Sequence, residues 1–247
     1  MPTPRIALVI PAWNEAESIG AVLSEVPPDV VGRVFVVTGD STDGTDEIAT
    51  GLGAAALPQA RPGYGAACWA GVCAAEQAGA EIVVFLDGDY ADPPAELPRV
   101  LAPLLTGQAD VVLGPRDLAH HPEAQRLHAR FGNWLVLTIL SLLLRQRLRD
   151  LPSFKAIRMD CLRQLAMSEM TYGWTTELVV KSVRAGLRIV EVPVAYRPRL
   201  AGQSKVSGTV RGTIGAAWKL CTCALRYARW RPAAVPAVSA AGDTERA

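Results

Sequence analysis

Apolar residues in the first half of the chain follow two patterns in alternation: short continuous runs and helical spacing. Over residues 19–26 and 97–105, apolar residues recur at i, i+3, i+4 and i+7, which is typical of helices buried on one side. Short continuous runs are typical of parallel strands that a sheet buries on both faces. Four runs have this character: Arg5–Ile10, Arg33–Val37, Glu81–Leu86 and Asp110–Leu113.

Strands that alternate with one-sided helices predict a doubly wound α/β domain with a mostly parallel central sheet. In such a sheet, ligands bind beyond the carboxyl ends of the strands. The residues that directly follow each predicted strand are therefore the first candidates for a functional site.

The pattern changes after about residue 117. Phe131–Leu144 is apolar on all sides, which is typical of a helix buried against the sheet or of one lying in a membrane interface. A strand is predicted at Ser153–Ile157, a helix near Thr175–Ala185 and an extended stretch at Leu187–Tyr196. A last helix is predicted from Val206 to about Tyr227.

Two acidic residues directly follow the predicted strand that ends at Leu86. Asp87 and Asp89 are separated by Gly88, and residues i and i+2 of an extended chain project to the same side, so the carboxylates can converge. Mg²⁺ and Mn²⁺ prefer oxygen ligands and often share them with substrate phosphates. An acidic turn without a ligand is the alternative, but the position at the end of a buried strand favours a metal site.

The loops after other strands carry further candidates. Asp40 is closest to the end of the second strand and is predicted to contact a ligand, whereas the Ser-Thr-Asp sequence at residues 41–43 is better explained by helix capping. Gly63 and Gly65 precede an Ala-rich helix and could admit a diphosphate at its N-terminus, although Gly-x-Gly alone is a weak signal.

Six motifs follow one another along the chain: VIPAWNEAESI, STDGT, GYGAA, FLDGDYADPPAEL, GPR at residues 114–116 and EVPVAYRPRLAGQSKVSG. Taken together and in this order, they resemble the family 2 glycosyltransferases of the GT-A fold. Within that family the chain is most similar to dolichyl- or polyprenyl-phosphate sugar synthases. The similarity extends from about Ile6 to about Gly212.

The resemblance implies an α/β GT-A domain over residues 1–230, doubly wound around a mostly parallel sheet and ending in an amphipathic helix. Its nucleotide-binding half would reach to about residue 117, and its acceptor half would occupy about residues 118–230. The Pro/Ala-rich tail at residues 231–247 is predicted to be disordered.

The resemblance also implies roles for single residues. Asp87 and Asp89 would hold Mg²⁺ or Mn²⁺ on the diphosphate of a UDP- or GDP-sugar, and Gly88 would let that donor approach closely. The nucleoside pocket would be lined by Pro11, Trp13 and Glu15. Arg and Lys are the expected partners of phosphate oxygens. Four residues would surround the phosphates of donor and acceptor: Arg116, Arg199, Ser204 and Lys205.

The sequence departs from the family pattern at three points. Thr38-Gly39 stands where the family usually has an acidic pair or Asp-Asn after the second strand, which leaves the recognition of the base open. Ala91 replaces the Gln that the lipid-phosphate mannosyl branch usually carries, and Pro152-Ser153-Phe154 replaces Ser-Gly-Phe. The identities of the donor sugar and nucleotide therefore stay open.

An inverting transfer, implied by the resemblance, is one in-line displacement at the anomeric carbon. Asp89 would act through the metal, which stabilises charge on the leaving diphosphate. A hydroxyl acceptor also needs a general base, whereas a phosphate monoester with a second pKa of about 6 is already largely ionised. Glu177 is the first candidate base, and a favourable charge near a helix N-terminus explains it equally well. For Asp150, a turn or cap is the better explanation.

The last predicted helix bears on the acceptor. At about 100° per residue, its basic residues fall within roughly 80° of arc, beside an apolar arc that contains Trp218. This arrangement suits an anionic membrane surface, and a helix packed on the domain with a solvated basic flank is the alternative. The basic residues are Arg211, Lys219, Arg226 and Arg229.

The sequence therefore predicts a metal-dependent glycosyltransferase that uses a polyprenyl phosphate at the cytoplasmic membrane face. The first alternative is a transferase for a soluble hydroxyl acceptor with Glu177 as base. A nucleotidyltransferase would share the sheet and the acidic site, but Pro11–Glu15 stands where its Gly-rich basic loop is expected. A non-catalytic binding module is disfavoured because both metal carboxylates are present.

Composition narrows the partners and the location. The formal net charge of +1 argues against a nucleic-acid partner. The five cysteines are irregularly spaced without a CxxC pair, which favours reduced thiols in a cytoplasmic protein. No secretory signal is recognised at Met1–Arg5, and Phe131–Leu144 is shorter than the roughly 20 residues of a spanning helix. We expect a cytoplasmic protein with peripheral contact to the inner membrane face.

Overall fold

The computed structural model describes residues 4–119, 121–124, 127–201 and 210–232. The strands are β1 (Ile6–Pro11), β2 (Arg33–Val37), β3 (Ala55–Leu57), β4 (Ile82–Phe85), β5 (Val111–Leu113), β6 (Arg116–Asp117), β7 (Lys155–Arg158), β8 (Ile189–Glu191) and β9 (Val194–Ala195). The helices are α1 (Ala16–Glu25), α2 (Thr45–Gly51), α3 (Tyr64–Gln77), α4 (Leu97–Leu105), α5 (Leu127–Leu144), α6 (Met159–Leu165), α7 (Trp174–Arg184) and α8 (Val210–Tyr227). Short 3-10 turns occupy Pro94–Glu96 and Pro122–Ala124.

The central sheet has seven strands in the order β3-β2-β1-β4-β7-β5-β8, and β6 and β9 form a small parallel sheet. Every neighbouring pair in the central sheet is parallel except for β7, which runs antiparallel to both β4 and β5. In this register Pro11 pairs with Val37, and Val9 pairs with Phe85. The loops that follow β1, β2 and β4 therefore meet at one edge of the sheet.

Helices cover both faces of the sheet. Alternate residues of β1 enter two hydrophobic cores: Val9 lies in the core with α3, α5, α7 and α8, and Leu8 lies in the core with α1 and α4. Burying one such side chain contributes about 1.5–3 kcal/mol. Helix α3 approaches β1 closely at Gly71, where a Cβ would stand 2.2 Å from Cγ1 of Val9. The strand runs are apolar because both of their faces are covered.

The predicted α/β class with a mostly parallel sheet is confirmed, and the four predicted strands of the first half match β1, β2, β4 and β5 within one or two residues. The predicted stretch Leu187–Tyr196 divides at Pro193, because β8 pairs with β5 whereas β9 pairs with β6. The strand β3 and the helix α6 have no counterpart among the predictions.

The last predicted helix and the predicted tail can be compared with the structure only in part. The predicted first turn of the last helix and most of the predicted disordered tail lie outside the described residues; from Val210 to Tyr227 the helix is present. In the part of the chain that the structure describes, no helix has the length and apolar character needed to cross a membrane.

Candidate active site

A cavity of about 590 Å³ opens beyond the carboxyl ends of β1, β2 and β4. This is the edge at which a doubly wound sheet binds its ligands. Eight residues predicted for the donor site or its phosphates line it: Pro11, Trp13, Glu15, Asp40, Asp87, Gly88, Asp89 and Arg199. Gln59, Arg61, Tyr64 and Tyr172, which the sequence had not singled out, line it as well.

The Asp-Gly-Asp segment follows β4 and is held tightly against β1. A Cβ at Gly88 would stand 2.9 Å from Cβ of Ala12, and the hydroxyl of Ser18 donates a 2.7 Å hydrogen bond to the Gly88 carbonyl. Asp89 accepts a hydrogen bond from the Ala91 amide (3.0 Å) and pairs with Arg199 (2.8 Å). The backbone of this segment is therefore fixed before any ligand arrives.

Asp87 carries a buried polar atom that lacks a hydrogen-bond partner, as does Asp92, whose Oδ1 is likewise unpartnered among the described residues. The Oδ1 of Asp87 is buried and accepts no hydrogen bond from the described residues. Burial raises the pKa of Asp87 to about 6, and the neighbouring Asp89 carboxylate adds to the rise, while Lys155 and Arg199 oppose it. An unsatisfied buried carboxylate oxygen is costly unless a cation or donor completes it.

The two carboxylates fit a hard divalent cation. Their oxygens are the ligands that Mg²⁺ and Mn²⁺ prefer, and both residues line the same cavity. Among the described residues, no cluster of three or more His, Cys, Asp or Glu side chains could hold a metal alone. A cation at this pair would need further oxygens, such as those of a diphosphate or water.

Two buried charged residues behind this segment were missed from the sequence. Lys155, on β7, is 1% exposed, and its Nζ donates to the carbonyl of Ser153 (3.0 Å). Burial lowers the pKa of Lys155, although the charge of Asp87 counteracts this. Asp92 is also buried and accepts a 2.6 Å hydrogen bond from Ser153. Burial and the charge of Asp87 raise the pKa of Asp92 to about 7.

The loop after β2 braces the loop after β1. The hydroxyl of Ser41 accepts a 2.9 Å hydrogen bond from the Asn14 amide, and the carboxylate of Asp43 accepts one of 3.0 Å from the Ala16 amide at the start of α1. Burial opposes ionisation of Asp43, but hydrogen bonds from Thr45 and Ala16 outweigh it and lower the pKa. The predicted capping role is confirmed for Asp43, which also accepts a 3.2 Å hydrogen bond from the amide of Thr45 at the start of α2. It is not confirmed for Ser41, because its donor Asn14 lies in the loop before α1.

Arg116 does not line the cavity. Its Nε and Nη2 each donate a 2.6 Å hydrogen bond to Asp150, and its guanidinium lies 5.4 Å from the ring centroid of Tyr196. Burial opposes ionisation of Asp150, but the charge and hydrogen bonds of Arg116 prevail and lower the pKa. Arg116 and Asp150 thus form a structural ion pair, which gives no support to phosphate binding by Arg116 or to Asp150 as a base.

Glu177 lies outside the cavity lining and is completely buried. It pairs with Lys181 (2.7 Å) and accepts hydrogen bonds from the Ser168 amide and hydroxyl and from the Glu169 amide (2.6 Å). Both carboxylate oxygens are occupied, so these surroundings give no support to Glu177 as the base. Ser204 and Lys205 lie outside the described residues, and Arg199 remains the predicted phosphate ligand beside the acidic pair.

Comparisons with known proteins agree with this geometry. The sequence profile described as glycosyl transferase family 2 matches residues 7–165. An uncharacterized glycosyltransferase of Mycobacterium tuberculosis is 37% identical over 214 residues, which cover 85% of this chain and 93% of that protein. A dolichyl-phosphate hexose transferase of Haloferax volcanii is 34% identical, covering 81% of this chain and 86% of the relative.

A solved structure extends the comparison to ligands. The glucosyl-3-phosphoglycerate synthase of Mycobacterium tuberculosis, in complex with Mn²⁺, UDP-glucose and phosphoglyceric acid, superposes with a TM-score of 0.70 at 27% identity. The match covers 89% of this chain and 80% of that structure. The GT-A type of fold that the sequence motifs implied is thereby confirmed.

Proposed function

This chain belongs to glycosyl transferase family 2 and is a glycosyltransferase, and on that premise we propose that it transfers a sugar from a nucleotide-diphosphate sugar to a polyprenyl phosphate. The nucleotide-diphosphate sugar as donor is supported by one observation, the cavity at the strand ends. Asp87, whose Oδ1 has no hydrogen-bond partner among the described residues, and the Asp89–Arg199 ion pair both line this cavity. A diphosphate with its cation would supply positive charge for Asp87 and a second anionic partner for Arg199 beside Asp89.

Each group has a separate task in the proposed reaction. A divalent cation at Asp87 and Asp89 would offset the charge that develops on the leaving diphosphate. Arg199 lies 2.8 Å from Asp89 and adds a second positive charge at the same end of the cavity. The closely packed Gly88 keeps the carboxylates in place, so little reorganisation is needed when the bond to the anomeric carbon breaks.

The surroundings of Glu177 support a phosphate acceptor over a hydroxyl acceptor. A hydroxyl nucleophile must lose a proton to a base, and Glu177 is already bonded to Lys181, Ser168 and Glu169. A phosphate monoester is largely dianionic near neutrality and needs no base, because its second pKa is about 6. An acceptor of this kind can attack without Glu177.

The lipid part of the acceptor is supported by an exposed apolar surface on two helices that pack together, α5 and α8. On α5, one side is buried through Val136 and Leu140, whereas Leu142 on the other side is 77% exposed. Exposed apolar patches of this kind commonly mark interaction sites. We define the apolar surface by its members: Phe131, Trp134, Leu135, Leu142, Trp218 and Leu225.

One contact relates this surface to the cavity, and basic residues lie near the surface at the end of α8. Nζ of Lys219 on α8 lies 5.8 Å from the ring centroid of Tyr172, which lines the cavity. Arg226 and Arg229, near the end of α8, are exposed. Basic side chains beside exposed apolar ones suit an anionic membrane surface. Peripheral binding to the cytoplasmic membrane face is therefore part of the proposal.

A second candidate is transfer to a soluble acceptor, which the likeness to glucosyl-3-phosphoglycerate synthase favours. One experiment separates the two. The protein is incubated with Mn²⁺ or Mg²⁺ and a panel of UDP- and GDP-sugars, and nucleotide release is measured with a short polyprenyl phosphate, with 3-phosphoglycerate, or with neither. We expect release that depends on the lipid phosphate; release with 3-phosphoglycerate alone would establish the second candidate.

A further inference from the structure

Gln59 occupies the end of the cavity that lies opposite the acidic pair. The carboxyl ends of β3, β2, β1 and β4 follow one another, and Val37 pairs with Leu57, so Gly39 and Gln59 lie side by side just beyond β2 and β3. At about 4.8 Å per strand, this is roughly 10–14 Å from the end of β4. This inference rests on the proposed function: with the diphosphate at Asp87, the base of the donor extends toward Gln59.

The amide of Gln59 is held in one orientation. Its Nε2 donates a 2.7 Å hydrogen bond to the carbonyl of Gly63. That carbonyl also accepts the amide of Ala67 in the first turn of α3 (3.1 Å), and a Cβ at Gly63 would stand 2.3 Å from the Met170 carbonyl oxygen. A carbonyl can only accept, so turning the amide over would place two acceptors against each other.

The oxygen of the same amide lies over Gly39. A Cβ at Gly39 would stand 2.8 Å from Oε1 of Gln59, and Gly39 has a φ of +61°, so the backbone there is made for glycine. Both residues line the cavity. Oε1 accepts no hydrogen bond from any residue that the structure describes. Gln59 thus presents a fixed acceptor at the base end of the cavity.

We propose that Gln59 reads the Watson–Crick edge of the donor's base by accepting its ring N–H through Oε1. Uracil and guanine carry such an N–H, at N3 and N1, next to a carbonyl that the second N–H of Gln59 can reach. Adenine and cytosine have an unprotonated acceptor nitrogen there. A fixed acceptor in Gln59 therefore selects UDP- and GDP-sugars against ADP- and CDP-sugars, because an acceptor facing an acceptor leaves both unpaired.

Asp40 is the other acceptor at this end of the cavity. It is exposed, and no hydrogen bond or ion pair from the described residues holds its carboxylate. An unrestrained, hydrated carboxylate discriminates less than a fixed amide, since water can satisfy it whichever base is bound. Asp40 is therefore the matched control for Gln59.

The test measures binding of UDP, of UDP methylated at N3, and of CDP by calorimetry in the presence of Mn²⁺, with GDP and its N1-methyl form in parallel. We expect wild type to prefer either UDP or GDP. It should bind the preferred nucleotide about tenfold or more tightly than the methylated form of that nucleotide, and about tenfold or more tightly than CDP. Gln59→Ala and Gln59→Met should each bind the unmethylated nucleotide about 5- to 15-fold more weakly, as expected for the loss of one hydrogen bond. Methionine keeps roughly the size of the glutamine side chain. The penalty for methylation should then nearly vanish, whereas Asp40→Ala, which removes the other acceptor, should retain it.

Two results would overturn the assignment, and they differ. If UDP or GDP binds and folded Gln59→Met keeps the full methylation penalty, another group reads the base and the proposed function survives. If no nucleoside diphosphate binds wild type with either metal, the proposed function and the role of Gln59 fall together. Thermal unfolding of each variant establishes that the measured protein is folded.

Discussion

The regions around Asp87 and around Glu177 both bury carboxylates, but they offset the cost of burial differently. Glu177 is surrounded by Lys181, by two backbone amides and by a hydroxyl, so its charge is satisfied inside the protein. Asp87 keeps a buried oxygen without a partner and an elevated pKa of about 6 that burial causes. The complete set of partners at Glu177 marks a structural ion pair, and at the incomplete set around Asp87 we propose that a ligand supplies the missing charge.

The largest expected effect is the loss of transfer activity in Asp87→Asn. This change keeps the shape of the side chain and removes the charge that a cation needs, so we expect kcat/KM to fall by about a thousandfold or more, or roughly 4 kcal/mol. Because burial raises the pKa of Asp87 and its Oδ1 has no hydrogen-bond partner among the described residues, the free energy of unfolding measured in EDTA should not decrease. A variant that retains more than a tenth of wild-type turnover would contradict the role of this pair.

Glu177→Ala should lower the free energy of unfolding rather than the transfer activity. It leaves Lys181 buried without its partner, at an expected cost of about 3–5 kcal/mol in the free energy of unfolding. The control is the double change Glu177→Gln with Lys181→Met, which removes both charges and should recover much of that loss. Transfer to polyprenyl phosphate by folded Glu177→Gln should stay within a few-fold of wild type; a selective fall in kcat would restore Glu177 as a base.

Stability of the metal-free protein should depend on pH through Asp92 and, to a smaller extent, through Asp87. Burial raises its pKa from 3.8 to about 7, so the folded state binds a proton that the unfolded state has released between these values. The free energy of unfolding in EDTA should therefore fall as pH rises from 5 to 7.5, by a few kcal/mol at about 1.4 kcal/mol per pKa unit. Asp92→Asn should reduce this dependence and leave the part that the raised pKa of Asp87, about 6, contributes; an unchanged slope would mean that Asp92 is already ionised at pH 5.

A smaller effect is expected on the apolar surface. Leu142→Asp, on α5, should weaken binding to vesicles that contain anionic lipid by about tenfold. The change removes a leucine whose burial is worth about 1.5–3 kcal/mol, and it adds a negative charge that the anionic lipid repels. Leu52→Asp is the matched control, since Leu52 is 54% exposed at the end of α2, outside this surface. Equal losses in the two variants would show that the surface has no special part in membrane contact.

The sequence predicted those parts of the fold and site in which neighbouring residues carry the signal. The apolar runs of β1, β2, β4 and β5 were recognisable because both faces of those strands are buried, and Asp87 and Asp89 were recognisable because they end such a run. The strand β3 was missed because Ala55–Leu57 is short and lies at the edge of the described sheet, beside β2.

The site residues that the sequence did not indicate owe their roles to contacts between positions that are far apart along the chain. Lys155 lies beside the acidic segment only because β7 pairs antiparallel with β4, opposite Phe85. The role proposed for Gln59 depends on its hydrogen bond to Gly63 and on the space above Gly39. Arg116 has a structural role because it pairs with Asp150, and Glu177 has one because it pairs with Lys181. The position of Arg116 in its motif did not indicate the pair with Asp150.

The central claim is that the acidic pair serves transfer from a nucleotide sugar to a lipid phosphate without a protein base. Its most direct test is to incubate the protein with Mn²⁺, a radiolabelled UDP- or GDP-sugar and a short polyprenyl phosphate, and to count label in the organic extract. We predict lipid-linked label with wild type and with Glu177→Gln, and none with Asp87→Asn. Label that appears only in a water-soluble product, or that disappears with Glu177→Gln alone, would contradict it.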